Sequence, residues 1–176
     1  LRIKLASRGS GRWKSSGGYR SKFGLTVTEA LRALEQLKAA GMEDCLQLMH
    51  FHLGSQITNI RIVKGALNEA ARVYTELAKL GAGLEYLDVG GGLGVDYDGS
   101  QTASDYSKNY SLDEYCSDVI ETIMSTLDAQ KIPHPVIVTE SGRATVAYSS
   151  VLLFNILDVT TYEPAESAPE VPDTEH

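Results

Sequence analysis

Apolar residues along this chain recur at two periods, and the switches between the periods divide it into alternating elements. Leu1-Arg-Ile-Lys-Leu-Ala6 alternates apolar with basic positions, as a half-buried strand does. Ser7 to Gly24 is rich in Ser, Gly and Arg and reads as a long loop. Thr26 or Thr28 can cap a helix whose Ala30, Leu31, Leu34 and Leu37 fall at helical spacing, with a stop near Gly41. Cys45 to His52 reads as a buried strand. A second helix, about Ile60 to Leu80, turns Ile62, Leu67, Ala70, Val73, Tyr74, Leu77 and Leu80 inward and stops at Gly81. Leu84 to Val89 forms the next strand. A third helix, about Leu112 to Ala129, carries Tyr115, Val119, Ile123 and Leu127 inward, and Pro133 precedes a strand over Val136 to Thr139.

Strands that alternate with helices in this way imply βαβ units and a parallel sheet with right-handed crossovers, an α/β architecture. Three successive strands run into polar or glycine-rich turns: Leu53-Gly-Ser55, Gly90-Gly-Gly92 and Glu140-Ser-Gly-Arg143. In parallel barrels and doubly wound sheets alike, ligands bind at those C-terminal strand ends, so the three turns are expected to share one site.

Composition narrows the class. The 176 residues are 43% hydrophobic and 22% charged, which suits a globular domain with a sizeable core. A net charge of −7 argues against nucleic-acid binding, which depends on clustered Lys and Arg. The one basic cluster, Arg8, Arg12, Lys14, Arg20 and Lys22, is either a solvated loop or an anion-facing one. Two cysteines, Cys45 and Cys116, indicate no disulfide framework, so a cytoplasmic location is expected. Neither a leader nor a long apolar run appears, so no membrane role is expected. The absence of an initiating Met, in a chain that opens inside a strand, reads as an excerpt of a longer protein.

The stretch "LDVGGGLGVDY" places Gly90, Gly91, Gly92 and Gly94 directly after a strand. A dinucleotide fingerprint fails because Val95 stands where its last glycine belongs, and no Gly-Lys-Ser/Thr occurs. A phosphate-holding nest of backbone amides and a purely structural tight turn both remain. His50 and His52 face the same side of their strand. They can be satisfied core residues, a metal pair lacking a convincing third ligand, or a ring-stacking aromatic. Glu140 and Arg143 are either a surface ion pair or a carboxylate facing a ligand cation beside an anion-holding arginine. Asp88 offers another inward carboxylate.

Taken in order, "HFHLGSQ", "LDVGGGLGVDY" and "TESGRA" resemble the fold-type III pyridoxal-phosphate decarboxylases of basic amino acids. "SRGSGRW", "SKFGL", "LDVGGGLGVDYDGS", "NYSLDEY" and "VTESGRA" resemble, more narrowly, the biosynthetic arginine decarboxylases, over about Leu1 to Tyr162. The resemblance implies part of a (β/α)8 TIM barrel of the alanine racemase-like type. It implies that His52 stacks on the pyridoxal phosphate ring and that Ser55, Gly90, Gly91, Gly92, Gly142 and Arg143 hold its phosphate. Glu140 would meet the pyridine nitrogen.

The implied reaction is decarboxylation of L-arginine to agmatine on the way to polyamines. Diaminopimelate or ornithine decarboxylation and a non-catalytic pyridoxal-phosphate binding homologue are the alternatives. The resemblance also implies a homo-oligomer and a possible magnesium requirement. It places the Schiff-base lysine on an upstream strand, where none of Lys4, Lys22 and Lys64 stands, so this stretch alone is expected to be inactive. Residues 1–145 are read as a partial barrel domain. Residues 146–162, apolar and β-branched, are read as the start of a β domain, and 163–176, acidic and Pro-rich, as a linker or tail.

Overall fold

A computed structural model describes residues 1–7, 18 and 21–162. The basic positions Arg8, Arg12, Lys14 and Arg20 and the acidic stretch 163–176 therefore lie outside the described residues. Chain order runs α1 (Val27–Ala39), a short 3-10 turn (Glu43–Cys45), β1 (Leu48–His50), α2 (Ile60–Lys79), β2 (Tyr86–Gly91), α3 (Leu112–Asp128), β3 (Val136–Glu140) and α4 (Gly142–Val146). The three strands form a parallel sheet in the order β1-β2-β3, as the alternation of periods predicts. Leu48, Met49 and His50 stand opposite Tyr86, Leu87 and Asp88, and those in turn opposite Val136, Ile137 and Val138.

Each of the three long helices starts where its sequence offers a cap. Thr26 and Glu29 close a capping box at α1, Asn59 accepts from the Arg61 amide at α2, and Ser111 accepts from the Glu114 amide at α3. Ala66, Leu67, Ala70, Tyr74 and Leu77 of α2 are buried, as are Val119, Ile123 and Leu127 of α3. The two helices pack together, with a Lys64–Asp118 ion pair of 2.9 Å at their contact. Alternation along the strands turns Met49 and Leu87 into this core and leaves His50 and Asp88 on the opposite face.

The first expected strand is realised only in outline. Arg2 pairs with His50 and Ile3 with Leu25 as isolated parallel bridges, with Ile3 N–H donating to the His50 carbonyl at 2.8 Å. The strand expected from Cys45 is shorter because Glu43–Cys45 winds into a 3-10 turn first. The strands expected over Val146 to Thr161 do not form here. The chain enters α4 instead, and residues 151–162 are exposed and adopt neither helix nor strand. A strand exists only with a neighbour to accept its hydrogen bonds, and the described residues offer this segment none.

Gly90 explains why β2 ends in glycine. Its φ is +69°, and a Cβ built on it would lie 2.2 Å from the Phe51 carbonyl oxygen. Gly65 is the counter-case, exposed in mid-helix with nothing within 4 Å of an added Cβ. Gly90→Ala is expected to destabilise the protein by about 3 kcal/mol, because strain and overlap act together. Gly65→Ala is expected to stabilise it by roughly 0.5–1 kcal/mol. Urea denaturation midpoints of the two variants check both signs.

Candidate functional site

The C-terminal ends of β1 and β3 open onto a cleft of ≈ 550 Å³ lined by Arg2, Phe23, His50, His52, Gly54, Ser55 and Glu140. Four of these come from "HFHLGSQ", where the chain leaves β1. Glu140 is the last residue of β3, half exposed and paired with Gly91 across a bulge between Asp88 and Gly91. The bulge supplies an extra residue on β2 and brings the glycine turn level with Glu140.

His50 sits between two carboxylates. Its Nδ1 lies 2.9 Å from Asp88 Oδ2 and 4.0 Å from Glu140 Oε1. The Asp88 approach is out of line for a hydrogen bond, and no other group hydrogen-bonds that buried nitrogen. The other Asp88 oxygen, Oδ1, accepts from the Gly90 amide at 2.8 Å. Burial, reinforced by the charge of Arg2, lowers the pKa of His52 below the ordinary 6.5, against the opposing pull of Glu140 and Asp88. A neutral, flat ring on the cleft wall is the outcome near neutral pH.

The glycine turn and the segment after β1 are laced together. The Gln56 amide donates to the Val95 carbonyl at 2.6 Å while its oxygen accepts from the Val95 amide at 3.0 Å. Ile57 N–H donates to the Gly92 carbonyl at 2.9 Å. Tyr110 accepts from the Gly94 amide and donates to the Ile57 carbonyl, at 2.9 and 2.8 Å. A Cβ on Gly91 would meet the Glu140 carbonyl oxygen at 2.6 Å, and one on Gly92 the Gly54 carbonyl oxygen at 2.4 Å. The glycines thus have a structural role in close backbone packing, and they stand behind the cleft wall formed by Gly54 and Ser55.

His50, His52, Ser55 and Glu140 are therefore brought together, as the strand-end argument expects. Gly90, Gly91 and Gly92 adjoin the cleft without lining it, and Gly142 and Arg143 stand exposed at the start of α4. No ion pair joins Glu140 to Arg143 among the described residues. Sequence reasoning missed Gln56 and Tyr110, whose partners lie 39 and 53 residues away, and Arg2 and Phe23, which stack at 5.2 Å on the cleft wall. Only the basic-apolar alternation of the first residues hinted at Arg2.

Parallel strands whose C-terminal ends bring an imidazole, a carboxylate and a hydroxyl to one cleft, with a glycine turn beside it, place that cleft where α/β barrel proteins bind their ligands. The chain belongs to the pyridoxal-dependent decarboxylases, matching their pyridoxal binding domain over residues 1–147. It is 58% identical over 161 residues to the biosynthetic arginine decarboxylase of Rhodopirellula baltica, covering 92% of this chain and 24% of the relative. The corresponding protein of Thermosynechococcus vestitus is 54% identical over 170 residues, covering 94% of this chain and 27% of the relative. The chain thus spans about a quarter of the length of these curated relatives.

The crystal structure of the biosynthetic arginine decarboxylase from Campylobacter jejuni superposes with a TM-score of 0.68 at 40% identity, over 81% of this chain and 22% of that one. Diaminopimelate decarboxylase from Helicobacter pylori, complexed with L-lysine, gives 0.61 at 26%, over 80% and 32%. The fold is accordingly part of the alanine racemase-like (β/α)8 barrel. Among the described residues no helix is long and apolar enough to cross a membrane.

The lowered pKa of His52 has a sign for stability. A base that binds its proton less readily when folded contributes stability above its unfolded pKa, and that contribution is lost as pH falls through the folded value. A proton-detected titration of the His52 ring is expected to show a midpoint below 6.5, and His52→Phe is expected to remove that part of the acid-side loss of stability. A midpoint at or above 6.5 overturns the assignment.

Proposed function

We propose that this chain forms the cofactor-binding part of a pyridoxal-phosphate-dependent arginine decarboxylase that converts L-arginine to agmatine and carbon dioxide. The observation that carries the reading is the convergence of His52, Ser55 and Glu140, from two strand ends, on one cleft of ≈ 550 Å³. That volume lies within the range of small-molecule and cofactor sites. The donor set suits pyridoxal phosphate: a neutral imidazole for a ring face, a carboxylate for a ring nitrogen, and a hydroxyl beside Gly54 for a phosphate.

In this reading His52 presents its ring to the face of the cofactor and excludes water from it. Ser55 donates its hydroxyl to the phosphate, and Gly90, Gly91 and Gly92 set the backbone that positions Gly54 and Ser55. Gly142 and Arg143 close the phosphate end, with the guanidinium countering its charge. Glu140 holds a proton on the pyridine nitrogen. Bound pyridoxal phosphate supplies an electron sink for the pair left behind when carbon dioxide departs.

With this reading go L-arginine as the small-molecule substrate, the remainder of a longer polypeptide, a homo-oligomer and a cytoplasmic location. Residues 146–162 then begin a β domain that pairs with chain beyond this stretch. Magnesium finds no suitable set: among the described residues the one candidate cluster is His50, Asp88 and Glu140, with ligand atoms within 4.8 Å of one another. An imidazole in that trio does not fit an ion that prefers octahedral oxygen ligands, and no step is derived through it.

Carbon dioxide release by the complete polypeptide with pyridoxal phosphate, offered L-arginine, L-ornithine, L-lysine and meso-diaminopimelate separately, tests the proposal. Release from L-arginine alone is expected. Release from another substrate keeps the cofactor site and overturns the substrate, and release from none points to a non-catalytic binding protein. Glu140→Gln is expected to lower kcat by about 10²-fold or more, the scale of a lost proton-holding group. The 176-residue chain by itself is expected to make no agmatine, because no lysine lines the cleft among the described residues. Detectable agmatine from it would count against the need for an added lysine.

A further inference from the structure

Asp88 has no place in the roles assigned above, yet it is 9% exposed at the centre of the sheet and touches both halves of the site. A carboxylate is costly to bury unless its oxygens are used. Oδ1 accepts from the Gly90 amide at 2.8 Å, at the residue where φ turns to +69°. Oδ2 lies 2.9 Å from His50 Nδ1. The Nδ1 edge of the imidazole therefore faces the Asp88 carboxylate at close range, out of line for a hydrogen bond.

Glu140 Oε1 lies 4.0 Å from the same nitrogen. Asp88 and Glu140 thus flank one nitrogen, and Asp88 stands the nearer of the two, in a close ion-pair contact rather than an aligned hydrogen bond. Without Asp88, a modest rotation of the imidazole would bring Nδ1 onto Glu140, occupying the oxygen that has to meet a ring nitrogen of the cofactor. A charge-assisted hydrogen bond of that kind is among the stronger side-chain contacts, so it would compete directly with ligand binding.

We propose that Asp88 is a positioning residue that keeps His50 off Glu140 and leaves the Glu140 carboxylate free for the cofactor, while its second oxygen fixes the glycine turn. This rests on the pyridoxal-phosphate reading of the cleft.

The test is the affinity of the complete polypeptide for pyridoxal phosphate, followed by fluorescence titration, with thermal midpoints of the cofactor-free proteins measured alongside. Asp88→Ala is expected to weaken binding about tenfold, and Asp88→Ala combined with His50→Leu to recover to within about threefold of the parent, since the competing donor is then gone. A purely structural loss at the glycine turn would not be rescued by removing His50. Asp88→Asn keeps an acceptor for Gly90 and offers a donor to Nδ1. It is expected to bind within about threefold of the parent and serves if Asp88→Ala does not fold.

Unchanged binding by Asp88→Ala, a double variant as weak as Asp88→Ala, or a tenfold loss in Asp88→Asn would each overturn the inference. Failure of the unsubstituted protein to bind the cofactor would instead sink the reading of the cleft, and this inference with it.

Discussion

The backbone contact between the end of β2 and the segment leaving β1 governs the rest of the structure. Gly90 approaches the Phe51 carbonyl so closely that a Cβ would overlap it at 2.2 Å, and Gly92 makes the same approach to Gly54 at 2.4 Å. Interiors pack as densely as crystals, so such contacts admit no side chain. With these two backbones in touch, "HFHLGSQ" and the glycine turn behave as one piece. Gln56 and Tyr110 then tie off the amides and carbonyls that the irregular backbone would otherwise leave unpaired.

That constraint separates scaffold from chemistry. One face of β1 and β2 is apolar and packs into the core with α2 and α3, and the opposite face carries His50 and Asp88. The bulge on β2 then brings Glu140 into the same cluster, so that two carboxylates and an imidazole meet where the strands end. The cleft is electrostatically arranged as well as shaped: desolvation and Arg2 lower the pKa of His52, and Asp88 stands nearer to His50 than the more exposed Glu140 does.

The glycine turn holds a lesson about inference from sequence. Four glycines after a strand signal that something comes close, and a phosphate was one of two readings. The structure shows that neighbouring backbone comes close in any event, which does not depend on a ligand. Binding would use the wall that this packing erects, at Gly54 and Ser55. Apolar residues at 146–162 show the converse: β-branched composition expresses compatibility with a strand, and a strand still requires a partner edge.

The sequence by itself determined the alternation of strands and helices, the parallel α/β class, a cap for the first helix at Thr26 or Thr28, and the gathering of polar residues from strand ends at one cleft. Those features follow from periodicity and local hydrogen bonding, which act over a few residues. His52, Ser55 and Glu140 were legible for the same reason, as polar residues at predicted strand ends. Only the tertiary structure decided that Asp88 faces His50 and Gly90 together, that Gln56 and Tyr110 pin the glycine turn, and that Arg2 and Phe23 join the cleft. Those pairings depend on register and on a bulge between strands distant in sequence, and no local pattern encodes which residues will then stand 3 Å apart.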